Sequence, residues 1–273
     1  MKGISFGQYY PADSLIHRMD PRFKILVAIV YIVGTFLCKS VISFGALLLS
    51  SFALIIVSKI PFKTILRSIS PLLFIIGFTV VINIFFGTGE VLLVELWGIH
   101  IYAEGIWRAV FMFLRIFSLI TATGIFLTYT TTPMDLTDAL EALLSPLKKL
   151  HVPVHVFAMM MSITLRFIPT LTEETEKIMS AQKARGANFT TGNLFQRAKA
   201  LIPILIPLFI SAINRATQLA DAMECRCYHG GEGRTRLNVM QCHASDFILS
   251  AAVIACCVAL VLLNQINFLY VLN

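Results

Sequence analysis

Apolar residues in this chain come in blocks and do not alternate with polar ones. Largely apolar runs cover Ile25 to Leu37, Val41 to Val57, Leu72 to Phe86, Gly105 to Thr128 and Phe247 to Leu263. Runs of this kind predict helices that are apolar on every side, which suit a bilayer better than the surface of a soluble core. Several are shorter than the roughly 20 residues that span a hydrocarbon layer comfortably, so flanking residues complete them or the layer thins.

Between Thr131 and about His243 the pattern changes. Most of the acidic residues and more than half of the Lys and Arg residues fall in this segment, and apolar positions recur at helical spacing. Three amphipathic helices are predicted. The first opens at "TTPMD", with Thr132 as N-cap, Pro133 at the first helical position and Asp135 as a near capping box. Its stripe is Leu136, Leu140, Leu143, Leu144 and Leu147, the spacing of a helix with one buried face. The second runs from about Leu171 to Arg185, acidic at its start (Glu173, Glu174, Glu176) and basic at its end (Lys183, Arg185), and stops at Gly186. The third runs from about Pro207 to Tyr228, with Ile210, Ile213, Ala216, Ala220 and Met223 on one stripe and Gly230 and Gly231 beyond.

Two apolar stretches inside this segment, "VPVHVFAMMMSITLRFIPTL" and "ALIPILIPLFISAI", resemble spans. The second has basic residues before it (Lys177, Lys183, Arg185, Arg197, Lys199) and after it (Arg215, Arg226, Arg234, Arg236), and one crossing would put one set outside. Its length of about 14 residues reaches only about 21 Å of a roughly 30 Å core. Pro203 and Pro207 interrupt it as well. It is therefore expected to dip toward the membrane or pack beneath a bundle. The first stretch, with Arg166 and Pro169 near its end, is read the same way.

Composition agrees with a membrane protein. Hydrophobic residues make up 57% of the 273 and charged ones 14%, against roughly 25% charged in soluble domains. The mean hydropathy is +0.80. The net charge of +7 does not imply nucleic acid, because the cations form no basic tail and no stripe interleaved with aromatics. They follow topology instead. Lys2, Arg18, Arg22 and Lys24 precede the first block, and Lys59, Lys63 and Arg67 lie between the second and third. The next loop carries Glu90, Glu95 and Glu104. The positive-inside rule then predicts a cytoplasmic N-terminus, an acidic outer loop and a return to the cytoplasm near Thr128. The first 22 residues lack the apolar core and small-residue cleavage site of a signal peptide, so none is expected to be removed. The six cysteines show no framework spacing, and disulfides are not expected.

Two arginines at helix ends are the candidate functional residues. Ala184, Arg185 and Gly186 close the second amphipathic helix, and Cys225, Arg226 and Cys227 close the third. Such arginines neutralise their own helix C-termini. Small neighbours also let a helix tip enter a groove, and a guanidinium offers a planar fork of donors that suits a carboxylate on a partner. In these residues, and from "HRMDPRFKIL" through "KARGANF" to "ECRCYHGGEGRTR", the chain resembles the transmembrane T component of energy-coupling factor transporters, importers of vitamins and metal ions. The resemblance implies that two Ala-Arg-Gly-like signatures dock into grooves on two ABC-type ATPase subunits, a homo- or heterodimer. Ala184, Arg185 and Gly186 match the signature fully, whereas Cys225 and Cys227 replace Ala and Gly around Arg226. It also implies a small membrane-embedded substrate-binding component as a further partner. No GxxxxGK[ST] loop occurs in the chain, so ATP hydrolysis is assigned to partners and no cofactor is expected.

Other residues invite chemistry. Arg108 and Arg115 share a face of the fourth block. Arg115 lies near mid-bilayer, where a charge costs roughly 2.5 to 3.5 kcal/mol, so it is expected to face the protein interior or pair with an acid, or to serve a partner interface. Cys225, Cys227, His229, Cys242 and His243 do not have the spacing that structural zinc favours, and small packing residues explain the cysteines more simply. "GGEGRTR" reads as a solvated turn, and His151 and His155, separated by Pro153, as a boundary loop. An intramembrane enzyme would need acids and histidines on one apolar face. A self-contained secondary transporter would need paired broken helices and usually an internal repeat. Neither pattern is present. The expected architecture is an all-α, multi-pass protein of a prokaryotic cell membrane. About four spans fall in residues 1–130 and a fifth in 244–273, with a cytoplasmic coupling domain of three long amphipathic helices in 131–243.

Overall fold

Ten α-helices and one antiparallel hairpin form the described part of the computed structural model, residues 9–86, 92–96, 99–150, 152–187, 189, 193–230 and 242–264. In chain order they are α1 (Leu15–Arg18), α2 (Pro21–Leu37), α3 (Val41–Ser58), α4 (Phe62–Ile69), α5 (Leu73–Phe86), β1 (Leu92–Leu96), β2 (Ile99–Tyr102), α6 (Ala103–Thr123), α7 (Pro133–Leu143), α8 (Val154–Ala184), α9 (Leu194–Cys225) and α10 (Ala244–Leu263). The protein is an all-α membrane protein; its short hairpin pairs Leu92 with Tyr102 and Leu96 with Ile99 and was not expected from the apolar pattern. The chain divides into two units, Met1–Ala139 with Val239–Asn273, and Leu140–Asn238.

Every apolar block becomes a helix. Six helical stretches among the described residues are long and apolar enough to cross a membrane: Val41–Ser58, Phe62–Asn83, Glu104–Tyr129, Val154–Ala184, Phe195–Cys225 and Ala244–Leu263. The 17 residues of α2 fall just short of this set. The second amphipathic helix starts earlier than expected, since α8 runs unbroken through Pro169. The third likewise starts earlier, because α9 runs through Pro203 and Pro207. Proline deletes one helical hydrogen bond and crowds the preceding turn. A proline gives up one hydrogen bond whereas a break would give up several, so both helices continue. The first amphipathic helix is shorter than expected. Thr132 caps it as predicted, accepting from the Asp135 amide at 3.2 Å. α7 then ends at Leu143, ahead of a 3₁₀ turn over Ser145–Leu150 that contains Pro146.

In the first unit the core lies where α2, α3, α6 and α10 meet. Phe44 stacks on Phe111 at 4.7 Å, and the Tyr31 hydroxyl is hydrogen-bonded to Ser50 and Ser51 at 2.9 and 3.1 Å. α2 and α10 approach closely at Gly34, where an added Cβ would lie 3.2 Å from Cys257 Cβ. Asn264, just past α10, closes the turn between α2 and α3. Its Oδ1 accepts from the Lys39 and Ser40 amides and from the Ser43 hydroxyl, and its Nδ2 donates to the Leu37 carbonyl. Four polar groups at the ends of two apolar helices thus find partners without water.

Lys24 sits at the start of α2, before the apolar block, and is 1% exposed. Its Nζ donates to the Thr130 carbonyl at 2.7 Å and the His17 carbonyl at 3.2 Å. Burial pushes its pKa from 10.5 down to about 8, against the pull of Asp135, Asp20 and Asp246. The folded chain therefore binds fewer protons than the unfolded chain between about pH 8 and the unperturbed value, so stability contributed by this group rises with pH across that window. Lys24→Met is expected to remove that rise. Melting of detergent-solubilised protein at about pH 7.5 and about pH 10 checks this, and equal slopes in both proteins would refute it.

Candidate functional site

The two predicted arginine tips fold in the same way. Arg185 caps the C-terminus of α8, with the Ala187 amide donating to the Gln182 carbonyl and the Gly186 amide to the Lys183 carbonyl. Arg226 caps α9, with the Tyr228 amide donating to the Met223 carbonyl and the Cys227 amide to the Glu224 carbonyl. Each pair of bonds is a Schellman motif, which closes a helix through one left-handed residue immediately after the cap. Gly186 takes that position at φ +84° and Cys227 at φ +55°. The small residue after each arginine therefore has a backbone cause: glycine adopts this conformation freely, and a side chain there costs about 1 to 2 kcal/mol. The helix-end arginines and the replacement of glycine by Cys227 are legible in the sequence; the left-handed backbone of that cysteine is not.

Cys227→Gly is expected to raise stability by up to about 1 kcal/mol, and Gly186→Cys to lower it by a similar amount. Thermal melting of the two variants reads both signs. An unchanged or lowered midpoint for Cys227→Gly would show that Cys227 is not strained.

Ala184, Arg185 and Gly186 are exposed, as are Cys225, Arg226 and Cys227. Within their unit, α8 and α9 run antiparallel. The Arg215 guanidinium meets Glu174 at 3.1 Å, and farther along α9 Met223 and Arg226 border the same cavity as Met159, Ser162 and Arg166, earlier on α8. Arg226 thus lies beside the first half of α8, some 22 residues or about 33 Å of helix from Arg185. Two like-built tips face different neighbourhoods. On α9 the positions packed toward α8 include Ser211, Arg215, Leu219 and Met223, whereas the predicted stripe residues Ile210 and Ile213 are exposed. Apolar residues surround this helix on most sides, so periodicity alone could not select the inner face. The predicted leucine stripe that starts in α7 is only partly covered: Leu136 and Leu143 are half-buried, Leu140, Leu144 and Leu147 are exposed, and Thr137 and Ala139 are buried.

In the first unit, Arg115 is half-buried on α6. It does not pair with an acid among the described residues. Its Nη2 donates to the Cys38 carbonyl at the end of α2 at 2.8 Å, and its guanidinium lies 5.3 Å from the Phe44 ring centroid. A helix C-terminal carbonyl and an aromatic face both carry partial negative charge, which lets an arginine sit in an apolar helix without a carboxylate. Arg108 is half-buried on the same helix. The remaining candidates are placed separately. Cys242 Sγ lies 3.7 Å from Asp20 Oδ2, His243 caps α10, and His155 pairs with Glu141 at 3.0 Å. His151 and residues 231–236 of "GGEGRTR" lie outside the described residues. Among the described residues no group of three or more His, Cys, Asp or Glu is arranged to hold a metal ion.

The family model for the cobalt transport protein CbiQ matches residues 12–237. The energy-coupling factor transporter transmembrane protein EcfT of Clostridium kluyveri is 47% identical over 262 residues, covering 95% of this chain and 97% of the relative. The EcfT of Ruminiclostridium cellulolyticum is 47% identical over 271 residues, 98% of this chain and all of the relative. The Bacillus subtilis EcfT is 43% identical over 236 residues, 86% and 89% of the two chains.

Proposed function

The chain belongs to the cobalt transport protein (CbiQ) family, with near full-length relatives that are transmembrane proteins of energy-coupling factor transporters, and on that premise we propose that it couples partner ATPases to substrate uptake. In this reading Arg185 and Arg226 are the docking residues, each flanked by small residues and each entering a groove on one of two ABC-type ATPase subunits. ATP is bound and hydrolysed there, and this chain is a non-catalytic subunit. A small membrane-embedded substrate-binding component is the third partner, and the cargo is a vitamin or another micronutrient. The protein sits in the cell membrane of a prokaryote with its N-terminus in the cytoplasm. Residues 131–243 form the cytoplasmic coupling domain, so α8 and α9, although long and apolar enough to span, do not cross.

The observation that carries this reading is the identical backbone closure of the two tips, with an exposed arginine at the cap of each. Tips built alike and held about 33 Å apart along α8 suit two related partner subunits. The test is charge reversal at both arginines with ATPase recovery as the readout. ATPases retained by the doubly reversed chain would overturn the docking reading.

A further inference from the structure

The chain leaves its first unit after Ala139 and re-enters it at Val239. Within that unit both connections are fastened to one turn of helix, Asp20 to Lys24 at the start of α2. On the entry side, the wide turn Gly124–Tyr129 that continues α6 ends with carbonyls that have no partner inside the helix. The first carbonyl past it, on Thr130, accepts from the buried Lys24 ammonium at 2.7 Å. On the exit side, the Cys242 thiol lies 3.7 Å from one oxygen of the Asp20 carboxylate, whose other oxygen caps α2. The Phe247 ring, in the first turn of α10, meets the Phe23 ring edge-on at 4.9 Å. Asp20 and Asp246 are both buried, and both attract the Lys24 ammonium, as does Asp135 on the entry side. One cation therefore faces carboxylates of the entry, of the exit and of its own helix.

A buried ammonium is costly unless hydrogen bonds and opposite charges surround it, and an apolar residue of similar volume often stabilises a core as well. Holding α2 alone needs no such group, since Asp20 already caps the helix. We propose that Lys24 is a positioning residue for energy coupling: through the first turn of α2 it makes the entry and exit of the coupling domain move as one body with α2 and α10. This rests on the docking reading for the source of the motion, whereas its path is set by the contacts of the first unit. Without the shared anchor the two connections are separate tethers, and a displacement of residues 140–238 can bend either one without moving the helices behind it.

The experiment purifies the tagged chain with its ATPases in lipid nanodiscs. Hydrogen exchange is followed by mass spectrometry without nucleotide and with MgATP trapped by orthovanadate. In wild type, trapping is expected to change exchange at the α8 and α9 tips and also in residues 22–28 and 246–252. Without nucleotide, Lys24→Met should speed exchange about tenfold in residues 127–135 and in 242–248, the opening expected when a hydrogen-bonded charge is lost. With nucleotide trapped, the tips of Lys24→Met should respond as in wild type while α2 and α10 no longer do. Lys24→Arg, which keeps the charge and the donors, should restore most of that response. A Lys24→Met complex with the wild-type response in α2 and α10 overturns the proposal. So does loosening of 127–135 with 242–248 unaffected, or a uniform rise across α2, α3 and α6, which is the mark of a merely structural role. Should Lys24→Met fail to accumulate in membranes, Phe247→Ala decides: it should loosen 242–248, leave 127–135 unchanged and remove the response of α10, and an unchanged α10 response overturns the shared anchor. If the tips of the wild-type chain do not respond to trapping, the docking reading fails and the proposal with it. If the tips respond and α2 and α10 do not, only the anchor fails.

Discussion

Arg185→Glu together with Arg226→Glu is expected to strip the ATPases from the purified complex while the chain remains in the membrane at normal yield. Both arginines are exposed and sit on caps whose hydrogen bonds use only main-chain atoms. Reversal therefore leaves the tips folded and costs only the helix-end electrostatics, about 0.3 to 1 kcal/mol at each. At a docked interface the cost is larger. Removing one partner of a buried, hydrogen-bonded charge pair costs about 2 to 5 kcal/mol, so two tips lose at least about 4 kcal/mol, or roughly 1,000-fold in affinity. Each single reversal should fall between wild type and the double variant. Subunit stoichiometry by quantitative mass spectrometry measures all three. A double variant with a full complement of ATPases would mean that the arginines serve only their own helices.

Gly34→Leu is expected to have the largest effect on folding. A Cβ at this position would stand 3.2 Å from Cys257 Cβ and 3.3 Å from its Sγ, with the Cys257 Cα at 3.9 Å. The nearest atom is the Cys257 Cβ, which is fixed to the backbone of α10 and cannot swing aside, so a leucine side chain forces α2 and α10 apart. Overpacking typically costs 1 to 3 kcal/mol, and this site should fall at or above about 3, a large part of the roughly 5 to 15 kcal/mol that holds a protein folded. Monodisperse protein after detergent extraction and its melting midpoint are the measurements. Gly34→Ala should be milder, and Cys257→Gly should partly rescue it. A Gly34→Leu chain that melts like wild type would show that the two helices are not tightly apposed.

The apolar blocks were legible because a run of apolar side chains favours a helix in lipid whatever its neighbours do. All five appear within α2, α3, α5, α6 with its continuation, and α10. The stop at Gly186 and the start at Thr132 were legible for a similar reason, since caps depend on a few adjacent residues. Prolines misled. Pro203 and Pro207 read as breaks, yet α9 passes through both. A proline removes one helical hydrogen bond, whereas a break would give up several, so a long helix carries through it. The inner face of α9 was misread because apolar residues lie on most of its sides, and a period needs contrast to be read. The candidate arginines were visible by position alone. Arg166, the neighbour of Arg226 in one cavity, appeared only as an irregularity in an apolar run.

By itself the sequence determined the membrane class, the helical elements, their caps and the two arginine-bearing ends. Each of these rests on short-range sterics or on transfer of side chains out of water, and both are properties of a few consecutive residues. Tertiary structure decided the pairings. Lys24 meets the carbonyl of Thr130, 106 positions away, and Asn264 meets Ser43, 221 positions away. It also seated Arg115 on a carbonyl and a ring instead of an acid, and brought Arg166 beside Arg226. Such choices depend on which helix faces come together, and a one-residue rotation of a helix by about 100° changes every partner.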